Sequence, residues 1–132
     1  MGVDAYSFAA ALNGIVAQRL LRLNCVQCAA PVSPSEIELE EAGLNPASTH
    51  DWHFKAGKGC GHCRGTGYKG RKAVAEVLIL NDTLREMITT RAPVSHMKEE
   101  AAKLGLRLVR DVALDMVRCG ETTLLELNRV TY

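Results

Sequence analysis

The sequence predicts an α+β protein that is mainly helical, with a compact cysteine module holding a short β element and a C-terminal helical cluster after it. Three observations carry this expectation. Two Cys-x-x-Cys pairs, Cys25/Cys28 and Cys60/Cys63, lie in the first half. A single convincing strand-like run, Val77-Leu78-Ile79-Leu80, follows them, and closely spaced helical segments fill the chain beyond Asn81. With 132 residues the chain can bury only a modest core, so a metal or a partner is expected to supplement it.

In chain order, Phe8, Leu12, Ile15, Val16, Leu20 and Leu23 recur at helical spacing. One amphipathic helix from about Asp4 to Leu23 is therefore expected, with Asp4 as its cap. Residues 25–34 have turn character, and Pro34-Ser35-Glu36 opens a short helix that should end near Gly43, with Asn45-Pro46 marking its exit. His53-Phe54-Lys55 reads as a short strand, Gly57 to Gly70 as a glycine-rich turn, and Lys72 to Leu80 as the best strand. Asp82 is expected to cap a helix through about Thr90, and Ser95 a second one to Lys103, with Glu99 near the capping-box position. A third helix spans Leu106 to Cys119, where Gly120 stops it, and Thr122 or Thr123 opens the last. Leu106, Leu108, Val109, Val112, Leu114, Met116 and Val117 form the expected core face of this cluster.

Composition excludes several function classes. Sixteen Lys plus Arg stand against 15 Asp plus Glu, and aromatic residues make up 5%. That balance offers neither the basic field nor the stacking surface of a nucleic-acid binder, and gives no attraction to an anionic membrane. No apolar run is long enough to span a bilayer, and the N-terminus lacks the basic and apolar regions of a signal peptide. Five cysteines, an odd count arranged largely in tight pairs, favour reduced thiolates holding a metal over disulfides, and with them a cytoplasmic setting.

The two pairs are separated by 31 residues. Each can wrap a turn that presents two sulfurs to one ion, so Cys25, Cys28, Cys60 and Cys63 are the candidate ligands of a closed four-sulfur site. Four soft thiolates without an open position suit a structural zinc; an iron–sulfur cluster uses the same ligands. A thioredoxin-like redox role would need a βαβ setting and leaves one pair unexplained. His62 lies between two ligands, and His50 and His53 lie between the pairs, so any could replace a cysteine as a ligand; all three read as solvent-facing. Cys119 has no neighbouring cysteine and reads as a small apolar helix residue.

Gly65-Thr66-Gly67-Tyr68-Lys69-Gly70 satisfies Gly-x-Gly-x-x-Gly, but a dinucleotide site also needs a strand before the glycines and a helix N-terminus after them. A knuckle precedes and a strand follows, so the glycines are expected to serve positive φ and close packing. No Gly-x-x-x-x-Gly-Lys-Ser/Thr occurs, so no catalytic residues are assigned and this chain alone is not expected to hydrolyse ATP.

The run Ala11-Leu12-Asn13-Gly14-Ile15-Val16-Ala17-Gln18-Arg19-Leu20-Leu21-Arg22, then Cys25-x-x-Cys28, then Gly59-Cys60-x-x-Cys63-x-x-Thr66-Gly67-Tyr68-Lys69-Gly70-Arg71 and Glu76-Val77-Leu78, resembles the C-terminal part of the type II secretion and type IV pilus assembly ATPases, the general secretion protein E family. Gly105-Leu106-Arg107 and Gly120-Glu121-Thr122-Thr123 through Arg129-Val130-Thr131 resemble its last helices. The resemblance implies three parts: residues 1–24 as the closing helix of a RecA-like ATPase domain, 25–80 as a tetracysteine zinc-binding subdomain, and 81–132 as a C-terminal helical subdomain. It also implies that Cys25, Cys28, Cys60 and Cys63 are structural zinc ligands, and that ATP binds only in a full-length parent whose Walker motifs lie upstream, Met1 being an added start. The implied partners are the remaining ATPase domains, neighbouring subunits of a hexamer and inner-membrane platform proteins, at the cytoplasmic face of the inner membrane. The presence of the tetracysteine insert points to assembly or secretion over pilus retraction. The chain departs from the family at Arg71-Lys72-Ala73 and at Arg110-Asp111-Val112. Competing classes are a J-domain-type chaperone zinc finger, suggested by Cys60-x-x-Cys63-x-Gly65-x-Gly67, and a stand-alone zinc ribbon. Cys28, however, is followed by Ala29-Ala30-Pro31 and not by a second Gly-x-Gly.

Overall fold

A computed structural model describes residues 2–131. Met1, the expected added start, and Tyr132 lie outside the described residues. Among the described residues, six helices, one 3-10 turn and four strands in two small sheets make up an α+β fold. The chain divides into two compact units, each built from two stretches: one runs up to Ala17 and resumes at Ala75–Leu108, and the other comprises Gln18–Val74 and Val109 onward.

The first unit holds helix α1 (Ala5–Ala11), helix α3 (Asp82–Thr89) and helix α4 (Val94–Lys103). Asp4 caps α1 by accepting from the Ser7 amide, as its position before the apolar run leads one to expect. The helix ends at Ala11, because Asn13-Gly14 breaks it and residues 14–24 leave as strand β1 (Gly14–Asn24). A single helix to Leu23 is thus corrected. Ile15 and Val16 are β-branched and favour a strand, and a partner remote in sequence, β4 (Tyr68–Ile79), supplies the ladder. Gly14 approaches so closely that a Cβ there would stand 3.0 Å from the Leu78 carbonyl. The Asn81 side chain, not that of Asp82, caps α3, and Ser95 caps nothing: α4 begins at Val94 behind Pro93, without a side-chain cap. Leu80, Leu84, Ala9 and Ala101 are buried.

The second unit contains the remainder of β1 and β4, a second sheet of β2 (Ala29–Pro31) and β3 (Lys55–Gly57), and helices α2 (Glu36–Glu41), α5 (Val109–Arg118) and α6 (Leu124–Val130). Pairing is antiparallel between β2 and β3, with Ala30 opposite Ala56. Helix α2 opens with a full capping box, Ser35 and Glu38 satisfying each other's backbone amides. The expected strand at 53–55 therefore sits two residues later, and the expected glycine-rich turn ends at Gly67, where β4 takes over. The small β content expected, strands at 53–55 and 72–80, is likewise enlarged, since β1 and β4 have 11 and 12 residues and β2 is added. Helix α5 starts three residues later than predicted. Leu108, predicted to be core, is exposed, while Ala113, Met116 and Val117 pack with Leu21, Leu39, Val74, Leu124 and Leu127.

One ionic cluster ties this core together. Glu126 on α6 is fully buried and accepts hydrogen bonds from the Arg22 amide at 3.0 Å, from the Arg22 guanidinium at 2.6 and 2.9 Å, and from Arg129 at 2.6 and 2.9 Å. The Arg22 guanidinium also lies 4.3 Å from the centre of the Tyr68 ring, whose hydroxyl is 2.7 Å from Thr123 Oγ1, the cap of α6. Burial opposes ionisation of Glu126, but the Arg129 and Arg22 hydrogen bonds outweigh it and bring the carboxyl down to about 2 from 4.5.

Since the folded pKa is the lower one, the contribution of Glu126 to stability is present above about 4.5 and is lost as pH falls towards about 2. Urea midpoints measured across that window should fall more steeply for the unaltered protein than for Glu126→Gln; parallel curves would contradict the assignment. At neutral pH, Arg22→Leu is expected to cost about 2 kcal/mol, the scale of charge-assisted hydrogen bonds, in the same measurement.

Candidate metal centre

The first cysteine pair sits in the turn between β1 and β2, and the second between β3 and β4. Each turn is tightened by its own backbone. The Cys28 and Ala29 amides both donate to the Cys25 carbonyl, and the Gly65 amide donates to the Cys60 carbonyl. The β2–β3 pairing carries the two turns to one place: Ala29 lies opposite Gly57, and the Lys58 amide extends the pairing by donating to the Cys28 carbonyl. The Cys25 amide then donates to the Gly67 carbonyl at 2.9 Å, closing the second turn over the first.

That closure depends on two glycines. A Cβ built on Gly57 would lie 2.0 Å from the Gly67 carbonyl oxygen, and one on Gly67 would lie 2.5 Å from that of Gly57. Gly67 also has φ +78°, in the left-handed region that favours glycine. Positive φ and close packing, expected of this run, are thus what it shows. Strand β4 begins at Tyr68 and takes in Gly70, so a strand and not a helix N-terminus follows the first glycines.

The four predicted sulfurs come together. Cys25, Cys28, Cys60 and Cys63 form a group whose Sγ atoms all lie within 4.8 Å of one another. Cys25 and Cys60 are 3.9 Å apart, while Cys28–Cys63 and Cys60–Cys63 are each 3.8 Å apart. These cysteines are free, not disulfide-bonded. A tetrahedron with metal–sulfur bonds of about 2.3 Å has edges of about 3.8 Å, which three of the six sulfur–sulfur separations match, so the donor set is suited to a zinc-sized ion. Cys25 and Cys63 are buried, and Cys28 and Cys60 are half-buried.

The sulfurs differ electrostatically. Amides of Cys60 and Gly67 point at Cys63 Sγ from 3.1 and 3.3 Å. Chiefly through the Cys60 amide, the Cys63 thiol is drawn down to about 6, towards the thiolate a metal requires. Loss of hydration instead pushes Cys28 up to about 12, which favours its protonated form until a cation compensates. Of the histidines, His62 brings Nδ1 to 3.4 Å from Cys25 Sγ. His50 Nδ1 is 3.1 Å from the Ala47 carbonyl, and His53 is exposed; neither joins the cluster. Cys119 is exposed and likewise outside it.

Residues 1–129 match the family described as Type II/IV secretion system protein. The chain belongs to the type II/IV secretion system protein family. Among its relatives in this family, the type IV pilus assembly ATPase PilB of Thermus thermophilus is 37% identical over 96% of this chain and 14% of its own length. PilB of Myxococcus xanthus is 35% identical over 96% of this chain and 23% of its own length, and the type II secretion system protein E of Pseudomonas aeruginosa is 32% identical over 99% and 26%. This member of the family therefore spans about a seventh to a quarter of the length of these relatives.

Sequence reasoning missed two features of the site. The amides that hold Cys63 belong to residues whose side chains give no hint of the role, and only the glycine at 67 signals that the backbone comes close. Asn24, next to Cys25, is the other: its side-chain amide donates to the Lys55 and Gly120 carbonyls at 2.9 and 3.0 Å, joining β3 to the end of α5. A polar residue ending an amphipathic run reads from sequence as a solvated cap.

Gly67→Ala is expected to destabilise the protein by about 1–3 kcal/mol or more, combining a left-handed non-glycine residue with a backbone clash. Gly61→Ala, where a Cβ meets nothing within 4 Å, serves as the control and should change the urea midpoint little.

Proposed function

We propose that this chain is the zinc-stabilised accessory part of a hexameric ATPase that drives type II secretion or type IV pilus assembly. The observation that carries the reading is the cluster of four sulfurs, all within 4.8 Å of one another, in a chain whose relatives are such ATPases. Cys25, Cys28, Cys60 and Cys63 would hold the ion. Bound there, zinc supplies a covalent-strength crosslink and no open coordination position, so its role is structural. Two turns that are 31 residues apart in sequence become one rigid corner, and the binding energy adds to folding energy in a small unit.

In this reading residues 1–24 close a RecA-like ATPase domain, 25–80 are the zinc-binding subdomain and 81–132 the C-terminal helical part. ATP is bound and hydrolysed by the upstream domain of the parent, not by these residues. The accessory part supports assembly of the motor from neighbouring subunits and couples it to platform proteins at the cytoplasmic face of the inner membrane. No helix among the described residues is long and apolar enough to cross a membrane, which agrees with attachment through partners.

The test is direct. Metal analysis of the purified chain should find one zinc per chain, and Cys60→Ser should abolish it and lower the thermal midpoint. In the full-length ATPase the same substitution should impair secretion or piliation while leaving the Walker motifs intact. Absence of stoichiometric metal from the unaltered chain would overturn the metal reading. Normal secretion and piliation by a zinc-free variant would overturn the coupling role.

A further inference from the structure

Within the second unit, Asn24, Lys55, Lys69, Cys119 and Glu121 line one cleft of about 380 Å³, room enough for a small organic molecule. Three unmet chemical demands converge there. Asn24 is only 6% exposed, and its amide nitrogen donates to the Lys55 and Gly120 carbonyls at 2.9 and 3.0 Å. Those two acceptors fix the amide's orientation, since a flipped amide would set oxygen against two carbonyl oxygens. Asn24 Oδ1 is then, among the described residues, the one buried side-chain polar atom without a hydrogen-bond partner. A buried acceptor left unpaired costs about 1–3 kcal/mol, so this side of the cleft calls for an N–H or O–H donor.

The second demand is charge. Lys72 holds Glu121 at 2.6 Å, whereas neither Lys55 nor Lys69 has a carboxylate partner among the described residues. The cleft therefore carries an excess of positive charge and favours an anion. The third is a nucleophile: Cys119 is a free, exposed thiol outside the four-sulfur group.

We propose that this cleft is a modification site, in which a small peptide-like disulfide bearing carboxylates is seated and Cys119 takes one half of it as a mixed disulfide. Lys55 and Lys69 attract the carboxylates, and an amide N–H of the ligand satisfies Asn24 Oδ1. In the exchange the Cys119 thiolate attacks one sulfur of the disulfide, a new S–S bond forms to Cys119 and the original S–S bond breaks. The other half leaves as a thiolate and takes up the proton that Cys119 gave to solvent. Cys119 is oxidised and the departing half is reduced, so the electrons balance. None of the four candidate metal ligands takes part, and the inference stands apart from the metal reading.

The test is a charge series of disulfides on the purified chain: glutathione disulfide, dithiodipropionate (acidic but without an amide), neutral hydroxyethyl disulfide and cationic cystamine. Peptide mass spectrometry maps each adduct, and each rate at Cys119 is divided by that of the same reagent with N-acetylcysteine amide. So normalised, the two acids should react roughly three- to tenfold faster than the neutral disulfide, the scale of two exposed ion pairs, with glutathione disulfide ahead of dithiodipropionate and cystamine slowest. Raising the ionic strength should shrink the advantage. Lys69→Gln, at an exposed position, should slow the acids several-fold and the neutral disulfide less, and Cys119→Ser should abolish the fast adduct. Equal normalised rates across the series, or cystamine in front, would show Cys119 to be an ordinary surface thiol and overturn the inference. Glutathione disulfide no faster than dithiodipropionate would overturn the peptide-like ligand class, and a first adduct at any other cysteine would overturn the site.

Discussion

The backbones of Gly57 and Gly67 cross so closely that neither position has room for a Cβ. Everything around the cysteine cluster depends on this crossing. It brings the turn after β3 against the turn after β1, lets the Cys25 amide reach the Gly67 carbonyl, and leaves the Gly67 amide free to point at Cys63 Sγ. Cysteine spacing sets which sulfurs can share an ion within a turn. Whether the two turns share the same ion is decided by main-chain contact, for which glycine is the sole suitable residue.

Around this corner the fold relies on polar ties more than on a large core. Asn24 bonds Lys55 and Gly120, Thr122 Oγ1 donates to the Arg22 carbonyl at 2.7 Å, and Arg22 in turn holds Glu126. Residues 22, 24 and 25 of one strand end thus address α6, β3 and the sulfur cluster in succession. The core beneath is built from Leu21, Leu39, Val74, Ala113, Val117 and Leu127 and is small, as expected for a unit of this length. Buried charge is costly unless fully bonded, and Glu126 is bonded from a backbone amide and two guanidinium groups.

Much of this was legible in the sequence, and the gaps have physical causes. The four cysteines, the positive-φ glycines, helix α2 and the helices after Asn81 are local features with local signals, and they appear where the residues place them, give or take a few positions at the ends. Strand β1 was not legible, because Ile15, Val16, Leu20 and Leu23 satisfy a helical spacing and its partner lies more than 40 residues away. Its pairing is a tertiary fact that overrides a local pattern. Glu126 was equally hidden: a glutamate in a helix reads as solvated, and nothing nearby in sequence announces Arg22. The caps of α3 and α4 differ by one residue or by kind, since Asn81 and Pro93 compete with Asp82 and Ser95 for the same helix starts.

Trp52, 5.5 Å from Phe54 and packed on the core of the second unit, is the single tryptophan of the chain. Its emission therefore senses the melting of that unit alone, whereas far-ultraviolet dichroism sums helices from both. Superimposable denaturation curves from the two probes would mean that the units melt cooperatively, and separated curves would mean that α1, α3 and α4 have a stability of their own.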